Sequence, residues 1–282
     1  MTAAIRVGVS GWSYPDWEGI AYPQPKPRGF DPLPYLAAVV DLIEINTTFY
    51  HPSSEKNARN WADRVRPFPG FRFTVKLWQR LTHAPSYTDD DLRAARVVPD
   101  VLREQGLLGA VLLQFPWSFS RTVENRRRLQ KLIESLPDLP VAVEVRHSSW
   151  DREEVYASLA AKGIAFVNLD QPVIGAAIGP SELVTAPFAY VRLHGRNYEQ
   201  WTRPEAGRDD RYNYLYPEEE LKPWAERVAS MSDRTGEVYL AANNHFKAKA
   251  LVNSIQLKRM LGQKVAVPPS LREAYPLLRG LD

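Results

Sequence analysis

Eight short apolar runs, each rich in β-forming residues, recur along the whole chain. They are IRVGVS (5–10), DLIEIN (41–46), RFTVK (72–76), AVLLQF (110–115), VAVEV (141–145), AFVNLD (165–170), AYVRLH (189–194) and VYLAAN (238–243). Most are nearly continuous in their apolar character, the pattern of parallel strands covered on both faces. Between them lie helical periodicities at 31–40, 54–66, 89–106, 122–136, 151–162, 217–231 and 246–261; only the connection at 171–188 looks short or irregular. Strands alternating with helices predict a parallel α/β fold. Eight such units over 282 residues predict one (β/α)8 TIM-type barrel spanning 1–282. An open doubly wound sheet is the rival, but its Gly-rich first turn is missing, because SGWSYPDWEG is not G-x-G-x-x-G.

Composition excludes several classes. No stretch approaches the roughly 18 apolar residues of a membrane helix, and MTAAIRVGVSGW lacks the layout of a signal peptide. No membrane partner and a cytoplasmic location are therefore expected. With no cysteine, disulfides and thiol nucleophiles are excluded, and any metal would rest on His, Asp and Glu. A net charge of +3 fits a protein that meets anions but does not by itself imply nucleic acid. The densest basic run, ENRRRLQKL (124–132), reads as the solvated face of a helix.

Each strand ends in a group that hydrogen-bonds or ionises: Ser10, Glu44, Lys76, Gln114, Glu144, Asp170, Arg192 with His194, and Asn243-Asn244-His245. In a barrel these ends face one mouth, where such folds place their sites. Buried polar groups cost several kcal/mol unless paired, so a polar ring here points to function. Glu44 and Glu144 alternate with aliphatic neighbours and read as lumen carboxylates for acid–base work, or as partners neutralised by Lys76, Arg146 and Arg192. His194, between Arg192 and Arg196, is the candidate proton carrier near neutral pH. Lys76, Arg146, Arg192 and Arg196 supply positive charge for a phosphate or carboxylate, with Asn243, Asn244, His245 and His83 orienting the substrate. Trp12 and Tyr50 are the aromatic residues expected to face a ligand, while most others pack loops. A divalent ion on the histidines and carboxylates is an open alternative, disfavoured by the lack of a local ligand motif. The long segment 195–220, rich in Tyr, Trp and charge, is expected to form a lid over the mouth.

These residues also carry a resemblance. GVSGWSYPDWEGIAYP, EINTTFYHPSS, FTVKLWQRLTH, LLQFPWSF, VEVRHSSW, YVRLHGRN and NNHFKAKAL, in that order over residues 6–262, resemble the DUF72 (YecE-like) family. The resemblance implies a TIM-type barrel similar in outline to the endonuclease IV and xylose isomerase group. That likeness lies at the level of fold and assigns no activity. The expected function is acid–base hydrolysis of a phosphate-bearing or nucleic-acid-derived anion. The alternatives are a nucleic-acid-binding barrel without catalysis and a metal-dependent sugar isomerase or lyase.

Overall fold

The structure, a computed structural model, describes residues 3–203 and 205–281. Eight strands form it: β1 Ala4–Ser10, β2 Leu42–Ile45, β3 Arg72–Lys76, β4 Leu108–Gln114, β5 Val141–Glu144, β6 Ala165–Asp170, β7 Phe188–Leu193 and β8 Glu237–Ala242. All pair in parallel in sequence order, and β1 closes the barrel by pairing with both β2 (Val9 to Ile43) and β8 (Val7 to Leu240). The main helices are α1 Pro32–Ala37, α2 Glu55–Val65, α3 Asp89–Glu104, α4 Val123–Glu134, α5 Glu153–Ala160, α6 Glu218–Ser232, α7 Lys249–Met260 and α8 Pro269–Ala274. Among the described residues no helix is long and apolar enough to cross a membrane.

Local chemistry starts the helices where the sequence places them. Ser54, Thr88 and Thr122 each accept a hydrogen bond from the backbone N–H three residues on, and Asp91 answers Thr88 to complete a capping box. No helix fills the connection after β6. Asn168 does the anchoring instead: its amide donates to the Leu183 carbonyl at 2.9 Å and accepts from the Leu183 N–H at 2.7 Å. The side chain pins an irregular segment through backbone groups, which otherwise need partners.

Strand pleating sorts the residues into two sets. Ile43, Phe73, Val75, Val111, Val143, Val191 and Leu240 point outward and pack under the helices. Leu42, Leu112, Ala142, Val167, Leu169, Tyr190 and Tyr239 fill the lumen. At the N-terminal end Arg6 closes the barrel with an ion pair to Glu237 at 2.9 Å. Two glycines permit the close packing here. A Cβ on Gly8 would lie 1.7 Å from the Leu42 carbonyl oxygen, and one on Gly109 would lie 2.9 Å from the Tyr239 ring. The lumen is thus filled to the level of Tyr190, and the polar residues above it form the floor of the C-terminal mouth.

Candidate active site at the barrel mouth

The floor is a buried charge network built by the pleat. On β7, Tyr190 and Arg192 face inward, and His194 continues the same parity beyond the strand. Glu44 from β2 and Glu144 from β5 reach the same point, both fully buried. Arg192 joins them. Its Nε and Nη2 donate to the two oxygens of Glu44 at 2.9 and 2.6 Å, and its Nη1 donates to Glu144. Ser10 and Tyr190 complete the shell of Glu44 with hydroxyl donors at 2.9 and 2.7 Å. Arg146 donates through Nε and Nη2 to Glu144, at 2.9 and 2.8 Å. Burial, the largest single influence, raises the pKa of both carboxylates, but Arg192 and the other donors around each together outweigh it. Arg146 helps at Glu144, which is held well below the usual carboxylate range. Both glutamates are therefore anions, and each guanidinium is spent largely inside the protein.

His194 lies in this floor, fully buried. Its Nδ1 is 3.0 Å from the Asn243 amide nitrogen, and its Nε2 is 3.5 Å from Glu144. With the amide donating to Nδ1, the ring proton sits on Nε2, which is 3.5 Å from both Glu144 and the Nη2 of Arg146. Burial first, and then Arg146, depress its pKa to about 4. The ring is neutral at pH 7, which corrects the expectation of a histidine titrating in the neutral range.

Lys76 is the group that does titrate there. It shares the inward face of β3 with Thr74, one layer higher, and is half-buried. Its carbonyl accepts from Thr48 at 2.8 Å, which ties the strand end to the one-turn helix Thr47–Tyr50. That helix carries Phe49, whose ring centroid lies 3.8 Å from the Lys76 Nζ. Among the described residues Nζ has no hydrogen bond and no ion pair. Burial lowers its pKa to about 7, Arg192 and Arg146 add to the effect, and Glu144 and Glu44 oppose it.

Beside this floor opens a cleft of about 530 Å³, lined among others by Gln114, Trp117, Arg146, Trp201, Arg211 and Tyr212. Arg146 belongs to both floor and cleft. Its Nη1 has no partner among the described residues, and neither has the buried Nε of Arg211. Arg146 Nη1 is the edge that faces the cleft, whereas the Arg211 Nε is enclosed although the residue lines the same cleft. Four of the lining residues, Trp201, Thr202, Arg211 and Tyr212, come from the 195–220 segment. The ring of Tyr212 is 6.2 Å from His194 and 5.6 Å from His245.

Other residues singled out in the sequence have different places. Asp170 and Asn244 follow the lumen-facing Leu169 and Asn243, so the pleat turns them outward. Asp170 accepts from Tyr216, Trp224 and both Nε and Nη2 of Arg196, which leaves Arg196 tied at the base of the lid with Glu220 3.4 Å from its Nη1. Arg196 is thus removed from the anion-binding set by its partners. Asn244 donates to the Tyr214 carbonyl and to Asn253, both at 2.8 Å. His245 is buried between Tyr14 and Tyr212, with Nε2 3.5 Å from Asp209, and so holds the lid. Trp12 packs against Trp61 and Phe73 rather than facing the mouth. Tyr50 is 48 % exposed and lines a shallow hollow with Gly207, Asp209 and Asp210 of the lid. His83 is exposed, with Nδ1 2.9 Å from the Thr82 hydroxyl and its ring against Phe49. The aromatic and basic wealth of 195–220 was the signal for Trp201, Arg211 and Tyr212. Gln114 and Trp117 carried only their place after a strand. Among the described residues no three His, Asp or Glu side chains gather as a metal site.

This geometry has relatives. A protein from Bacillus subtilis, UPF0759 protein YunF, is 28 % identical over 273 residues, covering 91 % of this chain and 94 % of that protein. The crystal structure of a DUF72 family protein from Thermotoga maritima superposes with a TM-score of 0.81 at 36 % identity, over 92 % of this chain and all of the other. One from Enterococcus faecalis gives 0.81 at 26 % identity, over 94 % of this chain and 98 % of the other. The family model described as "Protein of unknown function DUF72" matches residues 6–275, and the chain belongs to that family.

Proposed function

We propose that the barrel mouth is the active site of an enzyme that takes an anionic, phosphate-bearing substrate and moves a proton with Lys76. The observation that carries this reading is a half-buried amine without an oxygen partner, set above two carboxylates that are already neutralised. A protein that wanted only stability would pair this lysine or replace it with an apolar residue. The free Nη1 of Arg146 binds the anion in the cleft, with Arg211 in the same wall, where guanidinium geometry suits phosphate.

Hydrolysis is the reaction to test first. The neutral amine accepts a proton from water as the water oxygen attacks, and the resulting ammonium returns it to the leaving oxygen. Glu44 and Glu144 lie close enough to favour the charged amine once it forms. His194, neutral and held by Asn243, keeps the Glu144 edge in place rather than carrying the proton.

A panel of p-nitrophenyl phosphate, bis(p-nitrophenyl) phosphate and short oligonucleotides tests this. Turnover of one of them is expected, rising through the neutral range as Lys76 loses its proton. Lys76→Met should lower it by about 10²- to 10⁴-fold, the scale of a lost general base. Full activity in Lys76→Met would refute the assignment. The walls formed by Trp117 and Trp201 favour a second reading, in which the cleft stacks bases of a nucleic acid without turnover. That reading predicts oligonucleotide affinity that falls steeply with salt and is indifferent to Lys76→Met.

A further inference from the structure

We infer that Lys76 is a nucleophile toward carbonyl carbon, and that the mouth accepts a small phosphorylated aldehyde or ketone as an imine on its Nζ. This names a substrate class for the site and rests on the reading of the mouth as an anion-accepting active site. An amine that only balanced charge would be found against an oxygen. The lysines that are not exposed make the contrast. Lys258 gives its ammonium to Asp41 at 2.7 and 2.8 Å, and Lys249 gives its own to Asn213. Lys76 alone among them has only the face of Phe49.

The carboxylates that a buried ammonium would need are all committed elsewhere. Glu44 is filled by Arg192, Tyr190 and Ser10, and Glu144 by Arg192 and Arg146. The charged or titratable groups that act on the amine are Glu44 from β2, Glu144 from β5 with Arg146 just beyond it, Arg192 from β7, and His83 beyond its own strand. Burial first, and then the balance of these charges, leaves the amine unprotonated in about half the molecules at pH 7 rather than in roughly one in three thousand, as for an exposed lysine. A desolvated lysine of this kind is the usual nucleophile for carbonyl substrates.

The step balances without a co-reactant. The nitrogen lone pair attacks the carbonyl carbon, and the C–N bond forms as the C=O π bond opens onto oxygen. One proton passes from nitrogen to that oxygen, giving the carbinolamine. The C–O bond then breaks, the oxygen leaves as water with the second nitrogen proton, and the imine remains. When the imine is protonated, Glu44 and Glu144 are the nearby anions that stabilise it. Arg146, which lines the cleft and acts electrostatically on Lys76, connects the phosphate of the substrate to the reacting nitrogen.

The full-length protein is incubated at pH 7 with dihydroxyacetone phosphate and sodium cyanoborohydride, and the labelled lysine is located by peptide mass mapping. Dihydroxyacetone is run in parallel. The reductant converts the imine to a stable secondary amine, so the label records where condensation occurred. Lys76 should be labelled at least about tenfold faster than any exposed lysine, as the free-amine fractions require. The phosphorylated probe should outpace the neutral one, and inorganic phosphate should slow it. Lys76→Arg, which keeps the charge, should lose the label at this site and keep its melting temperature. Labelling spread over surface lysines would overturn the proposal, as would equal labelling by both probes. If phosphoester turnover depends on Lys76 while no imine is trapped there, the amine is a base only: the proton-transfer reading stands and this inference falls. Trapping at Lys76 without phosphoester turnover supports the inference and removes hydrolysis.

Discussion

Arg192, fully buried, and Lys76, half-buried above it, stand in opposite relations to stability. Arg192 has all three guanidinium nitrogens on carboxylate oxygens, and its pKa is raised because Glu144 and Glu44 outweigh its own burial. Arg192→Leu leaves two fully buried carboxylates without their main counter-charge. The loss should be about 3–5 kcal/mol, the usual cost of breaking a buried ion pair by removing one partner. Chemical denaturation should show it as a lower midpoint at unchanged slope. For Lys76 the sign is reversed. Its pKa falls from 10.5 in an ordinary lysine to about 7, so between these values the unfolded chain binds more protons than the native one. Stability therefore rises with pH across that window, and the full cost of burying the amine is present below pH 7. Lys76→Met should melt at a higher temperature than the wild type at pH 6. That advantage should shrink through pH 7 to 10 and vanish above about 10.5, where both states of the wild type are neutral. A variant that is more stable and less active marks a residue kept for chemistry.

At the scale of the elements, much could be read in the sequence because the signals are local. All eight apolar runs are strands, α1 to α7 fall on the periodic stretches with α6 running one residue past its own, α8 in the tail lies outside them, and the irregular connection after β6 has no helix. Caps such as Thr88 with Asp91 act over three residues and are visible without a structure. The charge network on the floor was half legible. Alternation along IEI, VEV and VRLH places Glu44, Glu144, Arg192 and His194 on inward faces. The same alternation, applied strictly, also turns Asp170 away from Leu169 and Asn244 away from Asn243. Strand-end position alone sent both to the mouth. What no pattern carried was partnership. That Arg196 belongs to Asp170, that His245 holds Asp209 of the lid, and that Arg192 spans from β2 to β5 are contacts between residues 26 to 148 positions apart. The shift of proton carrier from His194 to Lys76 has the same origin. It follows from which group is enclosed and which is left without an oxygen, a property of packing and not of spacing.

The whole molecule sets the conditions under which that amine works. Closure of β1 on both β2 and β8 leaves no sheet edge, and Arg6 with Glu237 shuts the far end, so the lumen opens only at the mouth. Beside that mouth the 195–220 segment is tied together by Tyr216, which accepts from the Gly195 N–H at 2.8 Å, and by Asn197, which donates to the Asp210 carbonyl at 3.0 Å. The net charge of +3 gives weak long-range steering, so the proposed recognition of an anion rests on Arg146 and Arg211 in the cleft wall. Partial burial against Phe49 at the barrel floor lowers the pKa of Lys76, and on the proposed reading that makes its amine a base and a nucleophile near pH 7. The most direct test is an NMR titration of the Lys76 side chain in the intact protein, with isotope-labelled lysine Cε assigned by the signal missing from Lys76→Met. A midpoint near pH 7, well apart from the exposed lysines, is the predicted result. A midpoint near 10.5, in step with the others, would show an ordinary ammonium at the mouth and contradict both the proton transfer and the imine.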